Sequence, residues 1–490
     1  MSKSKAQKRK QAAQVDHPNK KVAKSSGIVT PPPDGDNAQP KSLQTVVSEE
    51  ELEITVETLA TLAQHPSLIK SKACKDLRAA VYDFRQASAT GLAAADTNLT
   101  GQVTGALADG KYTEARIKLA EMRIRGQEPK LGALCRWVRD LDVISGLSTV
   151  PESNGAPLVQ RTAREKELIT VIDAVLRTAG HRDDNPSAIS YPDCPIALQT
   201  IWDLRPNTPP EQVYASVVDK SIFASAPPNI SSSLRIIETT PGPQRKPPNH
   251  HDAILYTSAP GTIPLTADKP PVQWHPHPTV PGLGLATNVL SPAECKSIIA
   301  AGETVTFLPD APLREGGEGG DASILAHNFY WVVDPPFHDA LWARVAPLLP
   351  RSVGGRPARG LNRRFRVYRY VPGAEYRAHI DGAWPPSGIL PDGDTYVYDA
   401  SPPGRKQSSL FTFLIYLNDE FEGGETTFFL PAAREGTLNA YPVRPVMGAV
   451  AVFPHGDPRL AVLHEGTGVR KGAKYVIRTE VEYDVEPSEA

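Results

Sequence analysis

Cysteine is scarce in this chain of 490 residues, and the few cysteines stand far apart. They are Cys74, Cys135, Cys194 and Cys295. No two of them have the spacing of a zinc site, and so few thiols exclude the dense disulfide framework of a small secreted domain. This cysteine usage favours a reducing compartment.

Long apolar runs and a strong net charge are missing as well. No stretch approaches the roughly 20 apolar residues that a membrane-spanning helix requires, and the first residues lack the apolar segment of a signal peptide. The formal net charge of −2 provides no general attraction to nucleic acid. We therefore expect no membrane partner and a location in the nucleus or the cytoplasm.

Basic residues do gather near the N-terminus, at positions 8–10 and 20–21. Two short basic clusters at this separation resemble a bipartite nuclear import signal, and a solvated basic tail is the alternative interpretation. Consecutive prolines follow at 31–33. We predict that residues 1–46 form a disordered basic tail.

The next part of the chain, residues 47–180, is predicted to be an α-helical domain. Ser48 precedes three glutamates, which is typical of a capped helix start, and apolar residues then recur at helical spacing. Further helices are predicted near 73–87, 99–109, 109–126, 129–141 and 164–179. Residues 181–270 are rich in proline and small polar residues, and they are predicted to be a linker with short ordered pieces.

The most informative pattern is a His-x-Asp pair, His379 and Asp381, followed far downstream by His464. Alternate residues of a strand point to the same face, so the pair can reach one cation and His464 can complete the site from another strand. Two imidazoles and one carboxylate leave coordination positions open, as in non-haem Fe(II) oxygenases. His-x-Asp pairs also occur by chance, so the flanking sequence has to show whether this pair belongs to a metal site.

Strand and turn patterns surround the pair in a definite order. A strand at 364–370 leads into Tyr-x-Pro-Gly, 414–429 forms two strands around Gly-Gly-Glu-Thr, and 463–481 forms strand, turn and strand. In this order, residues 278–485 resemble the Fe(II)/2-oxoglutarate-dependent dioxygenases, in the branch similar to prolyl 4-hydroxylase catalytic domains. The resemblance implies that residues 271–490 fold as a double-stranded β-helix (jelly roll) with flanking helices. The expected fold class of the chain is α+β.

The resemblance also implies roles for individual residues. His379, Asp381 and His464 would bind Fe(II) and form the catalytic centre. Lys474, ten residues past His464, matches the basic residue that pairs with the distal carboxylate of 2-oxoglutarate, and Tyr370 matches a tyrosine that helps to hold it. Arg478 competes for the anchoring role, because residues four apart on a strand share a face and a guanidinium suits a carboxylate better. The ten-residue spacing favours Lys474.

The reaction that the resemblance implies is oxidative. Fe(II), the cosubstrate 2-oxoglutarate and O2 would hydroxylate a C–H bond with release of succinate and CO2, and the family resemblance allows ascorbate as a further cofactor. No acid–base dyad is required, and the sequence contains no obvious one. We expect a protein side chain as the substrate, as in prolyl hydroxylases, although the lack of a signal peptide counts against a collagen hydroxylase of the secretory pathway.

Two alternatives to this function stay open. An oxidative demethylase of nucleic acid, similar to the AlkB type, shares the His-x-Asp…His pattern but usually carries arginines farther past the second histidine and lacks the Gly-Gly-Glu-Thr strand. A non-catalytic interaction protein with a degenerate barrel is the other alternative, and the complete set of ligands argues against it. The sequence does not indicate an oligomeric state.

A segment rich in proline, glycine and aspartate, residues 382–408, follows the predicted metal ligands. Its composition excludes regular strands over most of its length. Its position predicts either a lid over the site or a disordered surface insertion. In the first case Trp384, Tyr396 and Tyr398 are the candidate substrate contacts.

Overall fold

The computed structural model describes residues 46–90, 99–149, 159–190, 194–244, 252–309 and 326–487. The predicted import signal lies outside these residues. The chain divides into two compact units, Met1–Phe84 and Arg85–Ala490.

The first unit contains helices α1 (Glu49–Ala63), α2 (Pro66–Ile69) and the beginning of α3 (Lys75–Thr90). Ser48 caps α1 as its sequence predicts: its hydroxyl accepts a hydrogen bond from the Glu51 amide, and the Glu51 carboxylate accepts one from the Ser48 amide. Neither α1 nor α2 contains a buried residue.

The described helices of the second unit are α4 (Leu99–Ala108), α5 (Tyr112–Ile124), α6 (Leu131–Leu141), α7 (Ala163–Leu176), α8 (Val213–Val218), α9 (Ile230–Ser233), α10 (Pro292–Val305) and α11 (Pro335–Val345). Its first strands are β1 (Ile196–Leu198), β2 (Leu234–Thr240), β3 (Ala253–Ser258), β4 (Gln273–Pro276), β5 (Gly284–Thr287), β6 (Leu308–Pro309), β7 (His327–Val332), β8 (Ser352–Val353), β9 (Arg356–Leu361), β10 (Arg364–Tyr370) and β11 (Tyr376–His379). The strands that follow are β12 (Gly388–Ile389), β13 (Tyr396–Val397), β14 (Gln407–Tyr416), β15 (Glu422–Gly423), β16 (Thr426–Pro431), β17 (Leu438–Val443), β18 (Val450–Pro454), β19 (Leu463–Gly466), β20 (Val469–Lys471) and β21 (Lys474–Asp484).

Two sheets built from these strands pack face to face. The larger sheet has the order β2-β3-β7-β10-β21-β14-β18-β5-β4, with β6, β8 and β9 attached at its sides, and the smaller has the order β1-β17-β16-β19-β11. Phe428 and Tyr441 of the small sheet share a buried cluster with Phe453 of the large one. This arrangement confirms the predicted jelly roll.

Helices cover the outer faces of both sheets. The buried faces of α10 and α11 pack on the large sheet, where Phe365 and Val367 of β10 point toward them. Helices α4 to α7 form one buried cluster with the small sheet, in which Trp137 and Ile172 join Phe429. Side chains alternate along β10. The residues on its other face therefore point to the interior between the sheets: Arg364, Arg366, Tyr368 and Tyr370. That interior is where the functional side chains gather.

The region predicted to be a linker contributes strands to both sheets. β1 pairs with β17 of the small sheet, and β2 and β3 extend the large one beside β7. The predicted domain boundaries at 46, 180 and 270 stay predictions. None of the described helices is long and apolar enough to cross a membrane.

Candidate metal centre and active-site cleft

The three predicted metal ligands meet at one point between the sheets. His379 ends β11 and lies directly opposite His464 of β19 in antiparallel register, and Asp381 follows just beyond the end of β11. Asp381 Oδ1 is 3.6 Å from His379 Nε2, and Asp381 Oδ2 is 3.6 Å from His464 Nε2. One potential ligand atom from each residue lies within 4.8 Å of the others. This geometry allows all three to reach a single ion.

Backbone hydrogen bonds orient both imidazole rings. His379 Nδ1 is 2.8 Å from the carbonyl oxygen of Arg377, and His464 Nδ1 is 3.1 Å from that of Val462. A carbonyl oxygen only accepts, so each Nδ1 carries the proton and each Nε2 presents its lone pair to the site. Burial lowers the pKa of His464 to about 3, which keeps this imidazole neutral, as a metal ligand must be.

Asp381 is held as a carboxylate by its neighbours. Burial by itself would raise its pKa, but the guanidinium of Arg478 holds the pKa well below its ordinary value. Arg478 donates from Nη2 to Asp381 Oδ1 at 3.0 Å and from Nη1 to Glu480 Oε1 at 2.6 Å. Neutral imidazoles and an ionised carboxylate are a donor set that fits Fe(II).

A buried chain of hydrogen bonds, which we call the Asp381 relay, connects this carboxylate to Trp384. Thr412 donates to Asp381 Oδ2 at 2.6 Å, so its oxygen must accept from His455 Nδ1 at 2.8 Å. His455 Nε2 then accepts from the Ser409 hydroxyl at 2.8 Å, and the Ser409 oxygen accepts from the Trp384 amide at 3.0 Å. Every proton in the relay therefore has one defined position.

The sequence gives no sign of the relay residues. Ser409 and Thr412 are three residues apart on β14, a spacing that would put them on opposite faces of a regular strand. A bulge between Ser409 and Phe411 shifts the register, so that both hydroxyls reach His455. Neither the bulge nor the approach of His455 can be read from the local sequence.

The two candidate anchors for 2-oxoglutarate lie in different surroundings. Lys474 is 3 % exposed, and its Nζ donates to the carbonyl oxygen of Gly424 at 2.8 Å. The Lys474 Nζ lies 5.4 Å from the ring centre of Tyr370, its partner across β10 and β21, and 5.7 Å from that of Tyr416. Burial lowers the pKa of Lys474 to about 8. The structure thus places Lys474 with Tyr370, whereas the Arg478 guanidinium is shared by two carboxylates.

A cavity of about 530 Å³, which we call the basic cleft, opens onto the triad. Its lining residues are Cys135, Arg139, Asp142, Tyr330, Asn362, Arg364, Arg366, Tyr368, Tyr376, Arg377, Ala378, His379, Ile380, Asp381, Gly382, Trp384, Ser387, Tyr398, Arg478 and Glu480. They come from α6 and the residues after it, from β7, β10, β11 and β21, and from the segment after Asp381. The cleft gives an incoming molecule a route to the metal ligands.

The segment 382–408 forms one wall of the basic cleft through Trp384 and Tyr398. Their rings meet edge to face at 6.5 Å, and the Ser387 hydroxyl donates to the Tyr398 carbonyl oxygen at 3.1 Å. Tyr396 is not a lining residue; its hydroxyl donates to Ser387 from behind the wall. The segment thus contributes a wall of the cleft, and its role as a lid over the site stays a prediction.

Comparisons with known proteins point to one family. Residues 365–479 match the family model described as the 2OG-Fe(II) oxygenase superfamily. No curated protein sequence matches the chain significantly.

Three solved structures are among those that match part of the chain. A viral collagen prolyl hydroxylase from Paramecium Bursaria Chlorella virus-1, in a 2OG complex, is 19% identical over 42% of this chain and 97% of its own, with a TM-score of 0.26. A Pseudomonas putida prolyl-4-hydroxylase is 16% identical over 41% and 91%, with a TM-score of 0.27. A Trichoplax adhaerens prolyl hydroxylase, in complex with a peptide fragment of a hypoxia inducible factor oxygen degradation domain, is 14% identical over 41% and 83%, with a TM-score of 0.27.

The region that the family model matches includes the whole metal triad as well as Tyr370 and Lys474. Residues 365–479 of this chain therefore belong to the 2OG-Fe(II) oxygenase superfamily.

Proposed function

We propose that this protein is an Fe(II)- and 2-oxoglutarate-dependent dioxygenase that hydroxylates a C–H bond of a protein side chain and releases succinate and CO2. The observation that carries the proposal is the convergence of two Nε2 lone pairs and the Asp381 carboxylate at the cleft. Fe(II) held there would supply the oxidising chemistry with O2 and the cosubstrate. The protein's part is to hold the ligands, admit the substrate and exclude competing solvent.

Lys474 is the proposed anchor for the distal carboxylate of 2-oxoglutarate. Its ammonium donates to a neutral carbonyl and lies over two aromatic rings. The nearby Glu425 carboxylate forms its ion pair with Arg444 instead, so a second carboxylate can approach Lys474 without displacing it. A carboxylate that approached Arg478 would have to compete with Asp381 and Glu480. We assign Tyr370 to the same pocket and give Arg478 the task of holding the metal-binding carboxylate ionised.

The Gly-Gly-Glu-Thr motif favours this family branch over the demethylase alternative. Gly423 and Gly424 have φ values of 74° and 70°, a region that favours glycine. Their turn presents the Gly424 carbonyl to Lys474, so the motif shapes the wall of the proposed cosubstrate pocket. For the same reason a degenerate barrel is the weaker alternative, because ligands and anchor are both kept in working geometry. Ascorbate and a nuclear location stay predictions from the sequence.

The decisive experiment measures succinate released from 2-oxoglutarate by the purified full chain with Fe(II) and O2. Succinate release is expected from the wild type and is expected to be lost in His379→Ala, because one metal ligand is gone. His65→Ala is the control, since His65 is an exposed histidine of the first unit. If the wild type neither binds 2-oxoglutarate nor releases succinate in an iron-dependent manner, the proposal is wrong.

The substrate can then be captured with the enzyme locked in an inactive state. Wild type loaded with Mn(II) and an unreactive cosubstrate analogue should retain a protein from an extract, and His379→Ala should not. After turnover with iron, mass spectrometry of the captured protein should show a gain of about 16 Da, the mass of one inserted oxygen atom. A nucleic acid that loses a methyl group in the same assay would support the demethylase instead.

A further inference from the structure

The basic cleft carries more positive than negative charge. Five arginines line it, against three carboxylates, Asp142, Asp381 and Glu480. Each of these carboxylates already has an arginine partner in the cleft: Asp142 pairs with Arg377, and the other two pair with Arg478. Arg364 of β10 and Arg139 of α6 form no ion pair with any of these three carboxylates.

Arg364 of β10 lies against an aromatic ring of the cleft and has an unpaired donor. Its guanidinium carbon lies over the ring of Tyr330, 4.4 Å from the ring centre. Its Nε is buried and has no hydrogen-bond partner in the structure. Leaving a buried charged donor unpaired costs free energy, and a carboxylate entering the cleft would supply the missing acceptor.

Arg139 of α6 supplies a second cation at the mouth of the cleft. Its side chain is 62% exposed, and its ion pair with the neighbouring Asp140, at 3.4 Å, is also exposed. Exposed pairs of this kind contribute little free energy, so an incoming anion can exchange for Asp140. Trp384 and Tyr398 also line the cleft, and their exposed rings offer apolar contact.

The register of β10 and β21 relates these cations to the metal ligands. Arg366 lies opposite Arg478 in the β10–β21 register, and Arg478 contacts Asp381. Arg364 is two residues farther along β10, which is about 7 Å in a strand. A carboxylate held at Arg364 would therefore belong to a residue close in sequence to the one at the metal.

We propose that the basic cleft selects a protein segment that carries an aspartate or glutamate close in sequence to the hydroxylated residue. This inference rests on the proposed function, because it names the substrate class of the same site. A nucleic-acid strand fits the observations less well: no lysine lines the cleft, and the net charge of −2 differs from the basic balance usual in nucleic-acid-binding domains.

The test compares three pools of short random peptides whose alternate positions are all Glu, all Gln or all Lys. Binding to the full chain loaded with Mn(II) and 2-oxoglutarate is measured by fluorescence anisotropy. The Glu pool should bind at least about tenfold more tightly than the Gln pool, as expected for charge-assisted hydrogen bonds, and the difference should shrink as salt is raised. Equal binding of the three pools, or no binding of any, overturns the proposal.

Matched variants show whether the cleft causes this preference. Arg364→Gln combined with Arg139→Gln should abolish it, whereas Arg364→Lys with Arg139→Lys should keep most of it. Arg136→Gln is the control, because Arg136 is an exposed arginine of the same helix and does not line the cleft. A preference that persists in the double Gln variant contradicts the assignment.

Two further measurements separate the possible failures. A single-stranded oligonucleotide that binds more tightly than the Glu pool would replace the acidic peptide by nucleic acid as the favoured partner. Succinate release and 2-oxoglutarate binding are followed in the same preparations. If succinate release and 2-oxoglutarate binding are present without a preference for the Glu pool, only the proposed acidic substrate is wrong. If both activities are absent, the proposed function itself is wrong.

Discussion

The Thr412 hydroxyl donates a 2.6 Å hydrogen bond to Oδ2 of Asp381, the carboxylate of the metal triad. Both residues are buried, and the other oxygen of the same carboxylate accepts from Arg478. A carboxylate held from two sides keeps its orientation whether or not it binds an ion. The chemistry of the site therefore depends on residues that no metal-binding motif includes.

Thr412→Val should weaken metal binding roughly 10- to 100-fold, the usual cost of losing a partner of a ligating residue. Valine keeps the shape of threonine but removes the donor to Asp381 and leaves the buried Nδ1–H of His455 unpaired. Titration with Co(II), followed by its absorption, measures the affinity. Thr412→Ser keeps the hydroxyl and should bind nearly as tightly as the wild type. If the Val and Ser variants bind equally well, the relay does not position the carboxylate.

Lys474→Ala and Arg478→Gln should have different effects. Loss of Lys474 should lower the affinity for 2-oxoglutarate by about tenfold or more, the cost of one charged hydrogen bond, and should leave metal affinity nearly unchanged. Loss of Arg478 should weaken metal binding and move it to higher pH, since burial would then raise the pKa of Asp381. Calorimetric titrations with Mn(II), and then with 2-oxoglutarate, distinguish the two. An unchanged affinity for 2-oxoglutarate in Lys474→Ala would make the anchor assignment wrong.

The binding of 2-oxoglutarate should weaken above pH 8. The pKa of Lys474 in the free protein is lowered by burial to about 8, so the ammonium is present below that pH and is lost as the pH rises through it. The apparent affinity should be constant below pH 8 and should fall by up to about tenfold per pH unit above it. Lys474→Arg keeps its charge throughout and should give a flat profile, even if its affinity is lower. Parallel profiles for lysine and arginine would show that another group titrates.

Gly424→Ala should destabilise the fold and weaken cosubstrate binding together. Gly424 has a φ of 70°, and an added Cβ would lie 2.7 Å from Phe421 Cε2, so the turn that presents its carbonyl to Lys474 has to move. Gly373→Ala is the matched control, because Gly373 also has positive φ, at 86°, but has open space around its Cβ position. Thermal unfolding and 2-oxoglutarate titration should show a loss in both measurements for Gly424→Ala and a loss mainly of stability for Gly373→Ala. Normal cosubstrate affinity in Gly424→Ala would contradict the proposed role of this turn.

Local patterns predicted the strands and turns around the site because the physics there is local. The Pro-Gly turn after β10 and the glycine pair before β16 set backbone angles that few other residues adopt. The capping box at Ser48 likewise depends on residues three positions apart. Such elements need no information from distant parts of the chain.

Local sequence patterns could not show whether Lys474 or Arg478 anchors 2-oxoglutarate. Both residues point to the same face of β21, and their chemistry suits the same ligand. The difference lies in their partners: Asp381 and Glu480 surround Arg478, whereas a carbonyl and two tyrosine rings surround Lys474. These partners come from strands that are adjacent only after the sheets have formed.

By itself, the sequence predicted the candidate metal ligands and the local strands and turns, since ligand type, strand periodicity and turn residues are local properties, and the family resemblance added the jelly roll and the chemistry. Only the tertiary structure decided which groups surround those ligands: the Asp381 relay, the pairing of Arg478 and the excess of arginine in the basic cleft. The physical reason is that hydrogen bonds and charge interactions act over a few ångströms in space. Residues as distant in sequence as Arg139 and Arg364 come together in one cleft only when α6 packs beside the strands of the barrel.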